Sequence, residues 1–144
     1  MESDSSSLQH GKNRKRFDLA KAAMYLSTFP KVKIGAAIID RSGDVAAVGT
    51  NKQKSHPRQA KYDVHRNMDA EDVPHWTHAE MDALIKAKRQ NLQDASIYVY
   101  RENKKNELAM CRPCKACMAA LTDAGIKKIF YTTEYGLVFE EIIA

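Results

Sequence analysis

Two short runs constrain this chain more than anything else in it: Trp76-Thr77-His78-Ala79-Glu80 and Pro113-Cys114-Lys115-Ala116-Cys117. Together they bring one imidazole, two thiols and one carboxylate, each run standing where a helix is expected to open. One His and two Cys are ligands of the kind zinc takes, and a carboxylate beside them is a ready acid or base. A closed structural zinc site uses four protein ligands, so three leave a position open for chemistry.

His78 and Glu80 are two residues apart, and in mid-helix such residues point to opposite sides. They converge only at a helix entrance, before helical spacing takes hold. Thr77 reads as the N-cap of that helix, because an apolar helical pattern follows it. Cys114 and Cys117 are three apart and share one face of a first turn. Pro113 suits that helix start, having no N–H to lose there, and the helix dipole favours thiolate over thiol. Three plainer readings compete. Thr77-x-x-Glu80 is also a capping box. Cys111, Cys114 and Cys117 with His78 would close a structural Cys3His site. A disulfide would leave one of the three cysteines over, in a chain with no secretory signal near its start. The open site is preferred, because both runs occur together and in order.

H-A-E followed by P-C-x-x-C resembles the zinc-dependent cytidine and deoxycytidylate deaminase superfamily, whose general signature is H-x-E…P-C-x-x-C. That resemblance implies a Zn2+ ion on His78, Cys114 and Cys117, with Glu80 carrying protons in a hydrolytic deamination that releases ammonia. It also implies an α/β fold, three-layer α-β-α with a mixed central sheet. The H-A-E form, the stretch around Gly125-Ile126-Lys127-Lys128-Ile129 and the pair Tyr131 and Tyr135 are most like deoxycytidylate deaminases. The expected substrate is then a small cytosine nucleotide, dCMP going to dUMP. Asn51 is the candidate for the substrate's sugar, and His56, Ala79, Pro113 and Tyr135 complete the expected substrate-binding set. Arg112 departs from relatives, which often carry Glu or an aromatic before the proline. The chain also ends soon after its last expected strand, without the terminal helices by which tRNA adenosine deaminases hold their substrate. Relatives of this fold commonly form homo-oligomers. The alternatives are a deaminase editing tRNA or a single strand, a free-base (guanine) deaminase, and a non-enzymatic structural zinc module.

At 144 residues the chain has room for one core. No apolar run approaches the roughly 20 residues that span a bilayer, and thiols destined for a metal point to the cytoplasm. The net charge is +5, and four basic against two acidic residues place +2 of it in residues 1–16. That stretch is expected to be a flexible polar and basic tail, with residues 17–144 as a single domain. Phe17 to Phe29 has helical spacing and is followed by Pro30. Ile34–Ile39 and Val45–Val48 read as a hairpin about Arg41-Ser42-Gly43-Asp44. Residues 52–76 read as a long loop, basic first (Lys52, Lys54, Arg58, Lys61, Arg66) and then acidic (Asp69, Glu71, Asp72). Its basic half suits a substrate phosphate, and His56, His65 and His75 are read as surface or substrate-loop residues. A helix is expected from Thr77 to about Gln90, a strand over Ala95–Tyr100, and a charged loop to Ala109. A helix over Cys114–Ala124, capped by Gly125, and a parallel strand over Ile126–Tyr131 follow. The apolar segment Leu137–Ile143 reads as a short closing helix.

Overall fold

The computed structural model describes residues 11–66 and 75–142. Its centre is a five-stranded sheet built from the apolar runs. Strands β1 (Ile34–Ile39) and β2 (Val45–Thr50) form the expected antiparallel hairpin, and β5 (Ser96–Arg101) lies antiparallel on the other side of β1. Strand β6 (Lys128–Thr133) is parallel to β5, and β7 (Gly136–Glu141) is antiparallel to β6, giving the order β2-β1-β5-β6-β7. A separate ribbon pairs β3 (Lys52–Ser55) with β4 (Trp76–Thr77).

Successive residues of a strand face opposite sides, and both faces of this sheet are covered. On one side Ala37, Ile39, Tyr98, Tyr100 and Phe130 pack with Phe17, Ala20 and Met24 of helix α1 (Gly11–Met24). On the other, Ala36, Ile38, Ile97, Val99 and Ile129 pack under α3 (Ala79–Ala87) and α4 (Lys115–Ala124). The result is the expected three-layer α-β-α fold with a mixed sheet. Helix α3 lies close on the sheet because its inward stripe is Ala79, Ala83 and Ala87, each fully buried. Gly49 of β2 completes that approach: a Cβ there would overlap the Ala79 carbonyl and the Ala83 nitrogen. Asp82, in the first turn of α3, accepts from Thr50 N and pairs with Lys52, pinning the end of β2 to the helix.

Four expectations are corrected. Helix α1 starts at Gly11, inside the stretch expected to be tail, and stops at Met24, short of Phe29. Residues 11–16 lack an apolar stripe, but Lys and Arg are good helix formers, and two of these side chains reach the sheet. Tyr98 OH donates to Asn13 Oδ1 at 2.6 Å, and Arg16 donates to the same hydroxyl. The loop expected over residues 52–76 instead carries β3, helix α2 (Pro57–Asp63), a 3-10 turn (Val64–Arg66) and β4. Asp69, Glu71 and Asp72 lie outside the described residues. Thr77 is not the N-cap of α3. It sits in β4 and donates to the Lys54 carbonyl at 2.6 Å, so no capping box forms and His78 takes the cap position. The last apolar segment is strand β7, not a helix, because Thr133 Oγ1 and Gly136, at φ 128°, turn the chain back on β6. No helix among the described residues is long and apolar enough to cross a membrane.

Candidate metal centre and active site

His78 and Cys114 occupy the same place in their two helices. Each is an N-cap residue with extended backbone, and neither side chain caps its own helix. Both are therefore free to point across to each other. Pro113 is correspondingly one step outside α4, buried just before the cap, and not its first helical residue. Cys117 follows within the first turn and lies fully buried. The imidazole Nδ1 of His78 stands 3.5 Å from Cys114 Sγ and 3.4 Å from Cys117 Sγ. All three candidate ligand atoms lie within 4.8 Å of one another. For Zn–N and Zn–S bonds of ordinary length at tetrahedral angles, an N···S edge is about 3.5 Å, so the residues present fit zinc.

Glu80 enters the same space from the first turn of α3, 5% exposed. Burial raises its carboxyl above the ordinary range, and the nearby His78 only partly offsets that. The two candidate ligand sulfurs differ. The hydrogen bond from Cys117 outweighs burial and, with His78, brings Cys114 down to about 4. Cys117 is pushed well up by that same bond and by its own burial. Burial alone would lower His78, but the contacts with Cys114 and Glu80 leave it raised. The two sulfurs are thus held unequal, whereas the helix dipole alone favours thiolate at both.

Cys111 stays out of the group. Its thiol donates to the Val99 carbonyl and meets Thr132 Oγ1 at 3.1 Å, and burial pushes its pKa up to about 12. Among the described residues the ligand cluster is three-membered, and the closed Cys3His arrangement is not formed.

The expected substrate residues lie in or beside several different elements. Asn51 is buried, and its amide braces the chain before β1: Oδ1 accepts from Ser27 Oγ and Ile34 N, while Nδ2 donates to the Val32 carbonyl. His56 is the N-cap of α2, its Nδ1 accepting from Arg58 N at 3.1 Å. Ala79 is fully buried as the first residue of α3, with its carbonyl against Gly49. Tyr135, in the β6–β7 turn, is 89% exposed. Two of the basic side chains expected to meet a phosphate are in ion pairs, Lys52 with Asp82 and Arg66 with Asp63. His75 is tied to Asp63 at 2.6 Å. Arg112 forks onto Glu140, which also accepts from Tyr131 OH. Two side chains that touch His78 carry no motif in the sequence: Gln59, at its backbone nitrogen, and Arg66, at Nε2. A polar residue in an unexpected helix leaves no periodic signal by which to find it.

Fold and donor set together fit a zinc-binding deaminase domain. The chain belongs to the family described as "Cytidine and deoxycytidylate deaminase zinc-binding region", whose model matches residues 11–133. A probable deoxycytidylate deaminase of Caenorhabditis elegans is 28% identical over 124 residues, which is 83% of this chain and 56% of that protein. The chain thus spans little more than half the length of this relative. In structure it is similar to the dCMP deaminase of cyanophage S-TIM5 in apo form, with a TM-score of 0.57, 20% identity, and 82% and 79% of the two chains covered. The same phage enzyme in complex with dCMP and dUMP aligns equally well, at 0.57. Cytidine deaminase from Mycobacterium leprae follows at 0.55, with 18% identity over 88% of this chain and 91% of that one.

Proposed function

We propose that this chain hydrolyses the exocyclic amine of a cytosine nucleotide, with dCMP to dUMP the first choice and Zn2+ as cofactor. The observation that carries the proposal is the buried Glu80 carboxyl set beside three converging metal ligands, His78, Cys114 and Cys117. When bound there, Zn2+ supplies Lewis acidity and lowers the pKa of water at the open position. Glu80 takes a proton from the attacking water and delivers it to the ring nitrogen as the new C–O bond forms at the amino-bearing carbon. It then takes the proton of the new hydroxyl and passes it to the amine, which leaves as ammonia as the C–N bond breaks and the carbonyl forms. A carboxyl whose pKa is raised by burial is suited to that double task, because it can hold the proton as well as take it.

Around it, Ala79 and Pro113 would shape the walls next to the ligands, and the exposed Tyr135 ring would lie against the nucleotide. Asn51 would hold the loop before β1 that borders the sugar, and His56 would fix the start of α2. The dCMP deaminase names among its relatives favour a nucleotide over a free base. A homo-oligomer in the cytoplasm belongs to the same proposal.

The test is ammonia release from zinc-loaded protein given dCMP, dCTP, cytidine, cytosine, guanine and a short single strand, each beside Glu80→Ala. Glu80→Ala is expected to keep its zinc and lose at least about 10²–10⁴-fold in turnover. Turnover confined to cytosine nucleotides supports the proposal. Activity on the strand alone would transfer it to editing, and a Glu80→Ala protein that still turns over would sink the assignment of Glu80.

A further inference from the structure

The segment between β3 and β4 reads, in sequence, as a loop that meets substrate. Its buried side chains instead converge on a metal ligand. Gln59, on α2, is fully buried, and its Oε1 accepts from the backbone nitrogen of His78 at 3.0 Å. Its Nε2 donates to Asp63 Oδ1 at 2.7 Å, the two residues being one helical turn apart on the same face. Asp63 is 1% exposed, and its other oxygen lies 2.6 Å from His75 Nδ1, just ahead of β4. From the opposite side Thr77 Oγ1 anchors the preceding residue to the Lys54 carbonyl. The peptide that carries His78 is thus gripped on both flanks.

We infer that Gln59 and Asp63 are positioning residues for the metal centre: α2 is a clamp that sets where His78 stands. The inference rests on the proposed metal site and goes beyond it. An N-cap nitrogen receives no bond from its own helix, so an outside acceptor decides where it sits. His78 is such a residue, and its ring must meet two sulfurs that arrive on a different helix. Gln59 is that acceptor, and Asp63 fixes which way its amide points, because the carboxylate can only accept and so holds Nε2 to itself and turns Oε1 to His78. Arg66 also reaches His78, 3.3 Å from Nε2, but it bears on the clamp through its ion pair with Asp63 and not through the ring. A guanidinium only donates, and a neutral imidazole that gives Nδ1 to a metal carries its proton on Nε2. A consequence follows for the segment itself: metal binding and the ordering of α2 stabilise one another.

The test uses the whole chain. Zinc affinity is measured by competition with a chromogenic chelator, the visible bands of the cobalt-substituted protein are recorded, and amide hydrogen exchange is followed with and without zinc. Gln59→Leu keeps the shape and removes both hydrogen bonds. It is expected to lower zinc affinity by about 10–100-fold, the usual range for groups that orient a metal ligand, and to shift the cobalt bands. In the unaltered protein, zinc is expected to slow exchange at residues 57–63. Unchanged zinc affinity in Gln59→Leu would overturn the proposal, and so would exchange in α2 that ignores zinc, a readout that needs no variant. Val64→Ala, at an exposed position of the same segment, is the control: a loss equal to that of Gln59→Leu would make affinity a matter of general packing and overturn the clamp. Failure of the unaltered protein to take up zinc would bring down the metal site, and the clamp with it.

Discussion

Cys111, Cys114 and Cys117 repeat at spacing three, yet the structure puts them in different chemistry. Cys111 hangs from the Val99 carbonyl with its pKa up at about 12, while Cys114 is down at about 4 beside Cys117 and His78. Cys111→Ser is therefore expected to leave the zinc stoichiometry at one per chain, whereas Cys114→Ser abolishes tight binding; atomic emission on gel-filtered protein reads both. Asp63 makes a second residue-level prediction, with a sign. Burial would raise its pKa, but the hydrogen bonds from His75 and Gln59 and the Arg66 charge outweigh that and leave it below its ordinary 3.8. A carboxylate lowered on folding adds stability above its unfolded pKa, and that stability disappears as the pH falls through the folded value. Asp63→Asn should then cost about 1–3 kcal/mol at pH 7, with the gap closing below about pH 4, in urea melts of metal-free protein. The convergence of His78, Cys114 and Cys117 was legible in the sequence because helix-start spacing is a local rule. The work of Asn51 was not, because its partners Ser27, Val32 and Ile34 lie in a loop whose path only the fold determines.

Among the elements, the strands β1, β5 and β6 and the helices bearing the motifs were readable from apolar runs and caps, Gly125 at φ 90° included. Helix α2 and the strand character of β7 were not. Helix α2 is a single seven-residue run whose buried side chains include Gln59 and Asp63, so no apolar stripe marks it. In β7, Leu137 and Phe139 go to one core and Val138 to the other, an alternation too short to tell from a helical run without the turn before it. The close approach of α3 to β2 carries the element-scale prediction. Gly49→Ala meets backbone atoms of Ala79 and Ala83, which cannot rotate away as a side chain would. The helix must lift, and both His78 and Glu80 ride on its first turn. A loss of about 1–3 kcal/mol or more is expected, together with weaker zinc binding, in denaturant titrations and chelator competition. Native stability with native affinity would mean that α3 has slack the packing does not show.

For the molecule as a whole, the proposed metal fastens together two helix starts that are 36 residues apart in sequence, from His78 to Cys114. A ligand held only by the folded state stabilises it by about 4 kcal/mol when present at a thousandfold excess over its dissociation constant. In a domain of this size that corresponds to a rise of roughly 10 °C in Tm, reversed by a chelator. Charge separates the remaining substrate classes. The chain carries +5 and a sequence pI near 9.1, which by itself would suit a long polyanion as well as a mononucleotide. The two differ in how many phosphates are neutralised on binding. Each neutralised phosphate contributes roughly 0.7–0.9 to the slope of log affinity against log salt. A mononucleotide has no condensed counterions to release, so its binding weakens by at most about threefold from 50 to 200 mM salt, while a strand held at 6–10 phosphates loses about 10³–10⁵-fold. Measured as KM for dCMP across that salt range, a change of about threefold or less agrees with a mononucleotide site. A shallow response for dCMP beside a steep one for a single strand that is also deaminated would move the molecule into the editing class, its basic surface then serving as the track for the strand.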